Sequence, residues 1–245
     1  IRTFNINRIN PSKQVGFVPY APVSIAFDAV SSKEFRIVFR HIEGTPGFKE
    51  INLSPAVYLE RYMEKQLAKM YATPLPLWGE YQWQTQSEIP NSQLVIDPKK
   101  VINLKSFVNP QGMLKWNVPP GKWLILNYGL TTTGVTNTPA SAEGRGLEVD
   151  KMDHKKLNSH FDSFIGKVLE RIPAEKRTTF KYLVADSYEM GSQNWTDSLQ
   201  HTFERVYGYD PLPWLPVLAG NIVGSAGQPD RFLWDLRRLV ADLVA

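Results

Sequence analysis

Residues 182–196 read YLVADSYEMGSQNWT. Tyr182, Leu183, Val184 and Ala185 form a short apolar run that delivers Asp186 and Glu189, then a polar, aromatic loop holding Asn194 and Trp195. A helical pattern starts just beyond. A buried strand that ends in carboxylates and passes through a loop into a helix is the building unit of parallel α/β folds, which bind ligands at the carboxyl ends of their strands. Asp and Glu are rarely set beside a core strand without a partner or a task. The plainer reading makes Asp186 a loop cap and Glu189 a solvated residue, and spacing alone leaves both readings open.

Around this stretch the second half of the chain alternates strand and helix. A strand at 123–128 runs into a loop rich in Thr, Gly and Ser. A helix from Asp153 carries Leu157, Phe161, Phe164, Ile165 and Val168 on one face until Pro173 stops it. After the 182–196 stretch, Leu199, Phe203, Val206 and Tyr207 share a helical face that closes at Gly208. From Pro229 a last helix aligns Phe232, Leu233, Leu236, Leu239, Val240 and Leu243. This alternation predicts βα units and a parallel sheet.

The first half has a different rhythm. Val23, Ile25, Phe27 and Ala29 alternate with Ser24, Ala26 and Asp28, and Phe35, Ile37 and Phe39 alternate with Glu34, Arg36 and Arg40. A period of two predicts antiparallel strands with one wet face. One helix interrupts them: Ser54-Pro55 supplies an N-cap and a first-turn Pro, and Leu59, Met63, Leu67 and Met70 follow as an apolar stripe. Short strands return at 94–96, 101–104 and 114–118, with Pro119-Pro120-Gly121 as a strong turn before 123–128. The expected organisation is therefore α/β plus β: a β-rich, sandwich-like domain with one helix over residues 1–120, and βα units over 121–245.

Bulk composition narrows the function. The chain has 245 residues, 42% hydrophobic and 21% charged, with a net charge of +4. Basic residues occur together only in pairs such as Lys99-Lys100, without an aromatic-interleaved stripe, so no nucleic acid partner is expected. No apolar run approaches the roughly 20 residues that span a bilayer, so no membrane segment is expected either. The absence of cysteine excludes disulfides, thiolate metal sites and a Cys nucleophile, and leaves the compartment open. Ile1 at the start and an amphipathic pattern running up to Ala245 suggest a segment of a longer protein. Seven Trp, ten Tyr and twelve Phe suit a surface that stacks on sugar rings, and equally suit an aromatic core.

Two constellations could carry chemistry. Glycoside hydrolysis needs one carboxylic acid to protonate the leaving oxygen and a second carboxylate to activate water or attack the sugar. Glu189, with the longer reach, is the better candidate acid or base, and Asp186 the better candidate for substrate binding. The second constellation is the loop at 137–151, NTPASAEGRGLEVDK, which crowds Asn137, Glu143, Arg145, Glu148, Asp150 and Lys151. Glu143 and Arg145, with Asn194 and Trp195, are candidate sugar contacts. The loop's oxygen ligands could hold Ca²⁺, although no EF-hand spacing is present and no metal ligands can be assigned. An ion-paired loop capping the next helix explains it as well. Asn194-Trp195-Thr196 also fits a glycosylation sequon, but service to substrate is the preferred reading. Ser187 lacks a nucleophile elbow, and there is no P-loop or G-x-G-x-x-G, which argues against serine hydrolases and nucleotide-dependent enzymes.

Five long blocks carry a family likeness: LKWNVPPGKWLILNYGLTTTG (114–134), PASAEGRGLEVDKM (139–152), VADSYEMGSQNWTD (184–197), RVYGYDPLPWLPVLAGNIVGS (205–225) and RFLWDLRR (231–238). Through them the chain resembles the α-L-rhamnosidase-type glycoside hydrolases of family 106, closely in its second half and more loosely in its first. The resemblance implies a large, mostly bacterial, periplasmic or secreted enzyme acting on plant polysaccharides. It implies a (β/α)₈ TIM-barrel-like catalytic region elaborated by β-domains, removal of α-L-rhamnose with inversion, and a calcium ion near the sugar. Glu189 matches one of the family's catalytic glutamates, with its acid or base role unassigned. The chain holds at most about three βα units where a closed barrel needs eight. The partner glutamate is therefore expected beyond Ala245, in the remaining domains of the parent chain, and the isolated segment is expected to be inactive or very weak. The competing expectations are a non-catalytic carbohydrate-binding module with Trp78, Trp83 and Trp195 as its platform, or a structural fragment.

Overall fold

Phe232, Leu233, Leu236, Leu239 and Val240 recur at helical spacing, and in the computed structural model they form the buried face of one long helix, Gly227–Val244. The structure describes residues 2–4, 6, 22–42, 44–45, 47–66, 86–184 and 193–245. Among these the α-helices run in order α1 (Tyr62–Gln66), α2 (His154–Phe161), α3 (Lys167–Glu170), α4 (Leu199–Tyr207) and α5 (Gly227–Val244). A π-helical turn, Asp162–Gly166, joins α2 to α3, and a 3-10 segment, Leu212–Ala219, lies between α4 and α5.

The core forms where α5 meets α4 and the 3-10 segment. Leu199 and Phe203 of α4 are fully buried, and α4 ends at Gly208, whose left-handed φ of 77° suits a residue without Cβ. The Phe203 ring packs against Tyr207 at 4.8 Å, edge-on to Tyr209 at 5.0 Å, and against Phe232 of α5 at 5.8 Å. Trp214 stacks on Phe232 at 6.3 Å. Burying each such ring contributes about 1.5–3 kcal/mol.

Distant segments are stitched onto this core by backbone bridges. Tyr58 pairs antiparallel with Asn221 and Ile96 pairs parallel with Val223. The Leu59 N–H donates to Gly220 O, and the Ile96 N–H to Ile222 O, both at 2.8 Å. Leu59, Ile222 and Val223 are thereby buried beside α5. Gly220 is obligatory here: its φ is +85°, and a Cβ would sit 2.8 Å from the Tyr62 ring. α1 packs on α5, where buried Lys65 meets Asp230 at 2.6 Å.

The expected β-sandwich-like domain and (β/α)₈ TIM-barrel-like region are not what the described residues form. Their only β pairing is four isolated bridges: the two above, Val108 with Leu114, and Thr136 with Leu147. Residues 23–29, 34–40, 123–128 and 182–184 form no strand ladder. Tyr182 and Val184 are 87% and 82% exposed, and Phe35, Ile37 and Phe39 are exposed as well. The physical reason is that alternation reports which side chains could share a face. A strand exists only when a neighbour takes up its backbone hydrogen bonds.

Helices form close to where the sequence pattern places them, but not all of their apolar faces are buried. Asp153 caps α2 by accepting from the Lys155 N–H at 2.9 Å, as its position suggests. The face carrying Leu157, Phe161, Phe164 and Val168 is nevertheless exposed, Phe164 by 62%. The helix expected to follow Ser54-Pro55 starts only at Tyr62, because the bridge at Tyr58 and the positive φ of Arg61 (51°) keep the backbone out of the helix until then. Leu67, Met70, Trp78 and Trp83 lie outside the described residues. Among the described residues no helix is long and apolar enough to cross a membrane.

Burial separates two phenylalanines that periodicity treats alike. Phe203→Ala should cost about 3–5 kcal/mol in denaturant unfolding of this chain, by transfer and cavity terms together. Phe164→Ala, at an exposed position, should stay within about 0.5 kcal/mol.

Candidate functional site

The loop after residue 134 folds back on itself as a narrow hairpin. Asn137 N–H donates to Gly146 O at 3.0 Å and Glu148 N–H to Val135 O at 3.0 Å, around the Thr136–Leu147 bridge. The Asn137 side chain closes it from within: Nδ2 donates to Gly144 O at 3.0 Å, and Oδ1 accepts from Gly146 N–H at 2.8 Å. Ser141 turns the tip, where its carbonyl and hydroxyl oxygens both accept from Gly144 N–H at 3.2 Å. Glu143 and Arg145 ride on this exposed tip. The Glu143 carboxyl is held below its ordinary value, first by its own backbone N–H and then by the Ser141 hydroxyl.

At the base of the hairpin stands Asp150. Its Oδ1 accepts from Gln193 Nε2 at 2.7 Å and from the Met152 N–H at 3.1 Å. Its Oδ2 accepts from the Thr196 hydroxyl at 2.7 Å and from Lys156 Nζ at 3.4 Å. Gln193 and Thr196 are only 8% and 1% exposed. One carboxylate therefore ties the 137–151 loop to the end of the 182–196 stretch and to the start of α2. Lys156 extends the cluster, reaching Asp197 at 3.0 Å and Asp153 at 3.7 Å.

The electrostatics follow from this geometry. Burial alone would push the Asp150 carboxyl up. Donation from Thr196, Gln193, the Met152 N–H and Lys156 outweighs it and holds the group below the usual carboxylate value. The hydrogen bond to Asp197 raises the Lys156 ammonium against a smaller desolvation effect, with Asp150 adding to the rise. The pair is thus charged at neutral pH, and four donors already occupy the Asp150 oxygens. That donor set does not fit a calcium ion, and among the described residues no group of three or more His, Cys, Asp or Glu could hold a metal.

The expected site residues are placed unevenly. Asp186 and Glu189 lie outside the described residues. Asn194 and Trp195 sit between the two residues that Asp150 grips; Trp195 packs against the core and Asn194 is half-buried. Among the described residues the Asn194 side chain makes no hydrogen bond, and Gln193 Oε1 is a buried acceptor without a partner. Glu143 and Arg145 belong to the hairpin tip, while the residue of that loop that reaches the other segment is Asp150. Gln193 carries no sequence signal of its own, and Thr196 enters the sequence reading only through the Asn194-Trp195-Thr196 sequon, although a Thr just before a helix can also cap it. Its carbonyl does accept from the Leu199 N–H at 3.1 Å, but its hydroxyl goes to Asp150.

Comparison with known proteins follows from this arrangement. A family model described as alpha-L-rhamnosidase matches residues 5–245. A protein of Formosa agariphila named "Putative beta-glucuronidase" is 42% identical over 154 residues, which is 63% of this chain and 13% of that protein. The solved structure of a rhamnosidase from Novosphingobium sp. PP1Y superposes with a TM-score of 0.55 at 29% identity, over 76% of this chain and 17% of that one. The matched parts of this chain therefore span less than a fifth of the length of either protein.

The lowered pKa of Asp150 sets a sign. Its contribution to stability is present above its unfolded value near pH 4 and is lost as pH falls through the lower folded value. In urea unfolding, the stability gap between wild type and Asp150→Asn should therefore be full at about pH 6 and should shrink below about pH 4. A gap that stays constant down to pH 3 contradicts the ionised clasp.

Proposed function

The chain belongs to the α-L-rhamnosidase family, glycoside hydrolase family 106, and from that premise we propose that it is a segment of an enzyme that cleaves terminal α-L-rhamnose from polysaccharides. The observation that carries this reading is the family match across residues 5–245. The likeness to the Novosphingobium rhamnosidase supports it, and so does the convergence of the 137–151 loop and the 193–196 segment on Asp150.

In this reading Glu189 is one of two carboxyl groups, and inversion requires its partner about 6.5–9.5 Å away with a water between. One group protonates the departing oxygen while the other takes a proton from the water that attacks the opposite face of the sugar. Asn194 and Asp186 bind sugar hydroxyls, and Glu143 and Arg145 contact the substrate from the hairpin tip. The second carboxylate is unassigned within these residues, so turnover belongs to the intact enzyme rather than to this segment.

The Formosa protein's name favours a second substrate, a β-glucuronide. The two sugars differ in ring configuration and at C6, where rhamnose carries a methyl group and glucuronic acid a carboxylate. The intact enzyme should hydrolyse p-nitrophenyl α-L-rhamnoside and leave p-nitrophenyl β-D-glucuronide untouched; the reverse preference overturns the choice of sugar. Glu189→Gln should lower kcat by about 10²–10⁴-fold, and an unchanged rate removes Glu189 from the mechanism. NMR should show the β-anomer of rhamnose as the first product, and an α-anomer rules out inversion. The isolated 245-residue chain should give no turnover above background; activity that Glu189→Gln abolishes would show the site to be complete within it.

A further inference from the structure

Four consecutive residues, Gln193 to Thr196, divide their side chains in an unusual way. Gln193 and Thr196 both spend a donor on Asp150 at 2.7 Å, and Trp195 packs into the core. Asn194 alone keeps its amide uncommitted among the described residues, half-buried between two neighbours held by one carboxylate. The backbone on either side of Asn194 therefore has little freedom.

We propose that Asp150 is a positioning residue that clamps Gln193 and Thr196 so that the Asn194 amide is held ready for a sugar hydroxyl. Thr196, fully buried and donating to Asp150, is the second half of the clamp. The inference rests on the reading of this region as a glycosidase site, and it adds three residues, Asp150, Gln193 and Thr196, that touch no substrate. A carboxylate is suited to the task because it only accepts. Every partner around it is a donor: an amide, a hydroxyl, a backbone N–H and an ammonium. An Asn in its place would turn its own N–H₂ toward one of those donors.

The test is steady-state kinetics of the intact enzyme on p-nitrophenyl α-L-rhamnoside, with thermal unfolding recorded for each variant. Loss of ground-state binding raises KM with kcat little changed. Asn194→Ala should therefore raise KM about tenfold, and Asp150→Asn and Thr196→Val should raise it to a similar extent, with kcat within about threefold. Thr196→Ser, which keeps the hydroxyl, should restore the wild-type KM. Thr196→Val added to Asn194→Ala should raise KM no further, since both remove one interaction. A wild-type KM in Thr196→Val, or a KM in Thr196→Ser as high as in Thr196→Val, overturns the clamp. If Asp150→Asn is unfolded at the assay temperature, the Thr196 pair decides alone. Glu189→Gln separates this proposal from the one beneath it. A dead Glu189→Gln beside unchanged KM values in the clamp variants rejects the clamp and keeps the glycosidase reading. An active Glu189→Gln beside raised KM values rejects the catalytic assignment and keeps the clamp.

Discussion

Burial of one face of α5 is the constraint on which the described structure depends. Phe232, Leu233, Leu236, Leu239 and Val240 present a continuous apolar stripe, and several of the other described segments contribute a piece of its cover. α4 supplies Leu199 and Phe203, the 3-10 segment supplies Val217 and Trp214, and the bridged residues Leu59, Ile222 and Val223 close the edge. The hydrophobic term is nondirectional and scales with area, so it brings these segments together without specifying their register. The bridges at Tyr58 and Ile96, and the close approach allowed by Gly220, supply that specificity.

The site region is held by a different force. Met152 enters the core while Asp150, two residues earlier, faces polar partners. The chain thus leaves the apolar core and immediately meets a carboxylate with four donors around it. Charge-assisted hydrogen bonds are shorter and stronger than neutral ones, and here they join segments more than forty residues apart in sequence. Asp150, its carboxyl held below the usual value by these donors, is closely partnered on both oxygens.

Much of the apolar surface outside the core is open. The α2–α3 face with Phe164 and Val168, and residues Tyr182 to Val184, carry large exposed side chains. Family membership rests on residues 5–245, whereas the two compared proteins are several times longer than this chain. Local pattern and family likeness therefore agree on what the residues are suited to, while cover for those faces is not found among the described residues.

Helices and their ends were legible in the sequence because their determinants are local. Asp153 as a cap, Gly208 as a stop and the 3.6-residue stripe of α5 all act within a turn or two of the chain. The family likeness was legible for a similar reason, as it lies in collinear blocks. Strands were not, because alternation at 23–29, 34–40 or 123–128 states a preference that only a paired neighbour can realise. Nor was the choice of Asp150 over Glu143 and Arg145: all three belong to one acidic and basic loop, and only the fold sets Gln193 and Thr196 against one of them. A sequence can name the groups able to accept a hydrogen bond, but which donors stand 2.7 Å away is decided by tertiary packing.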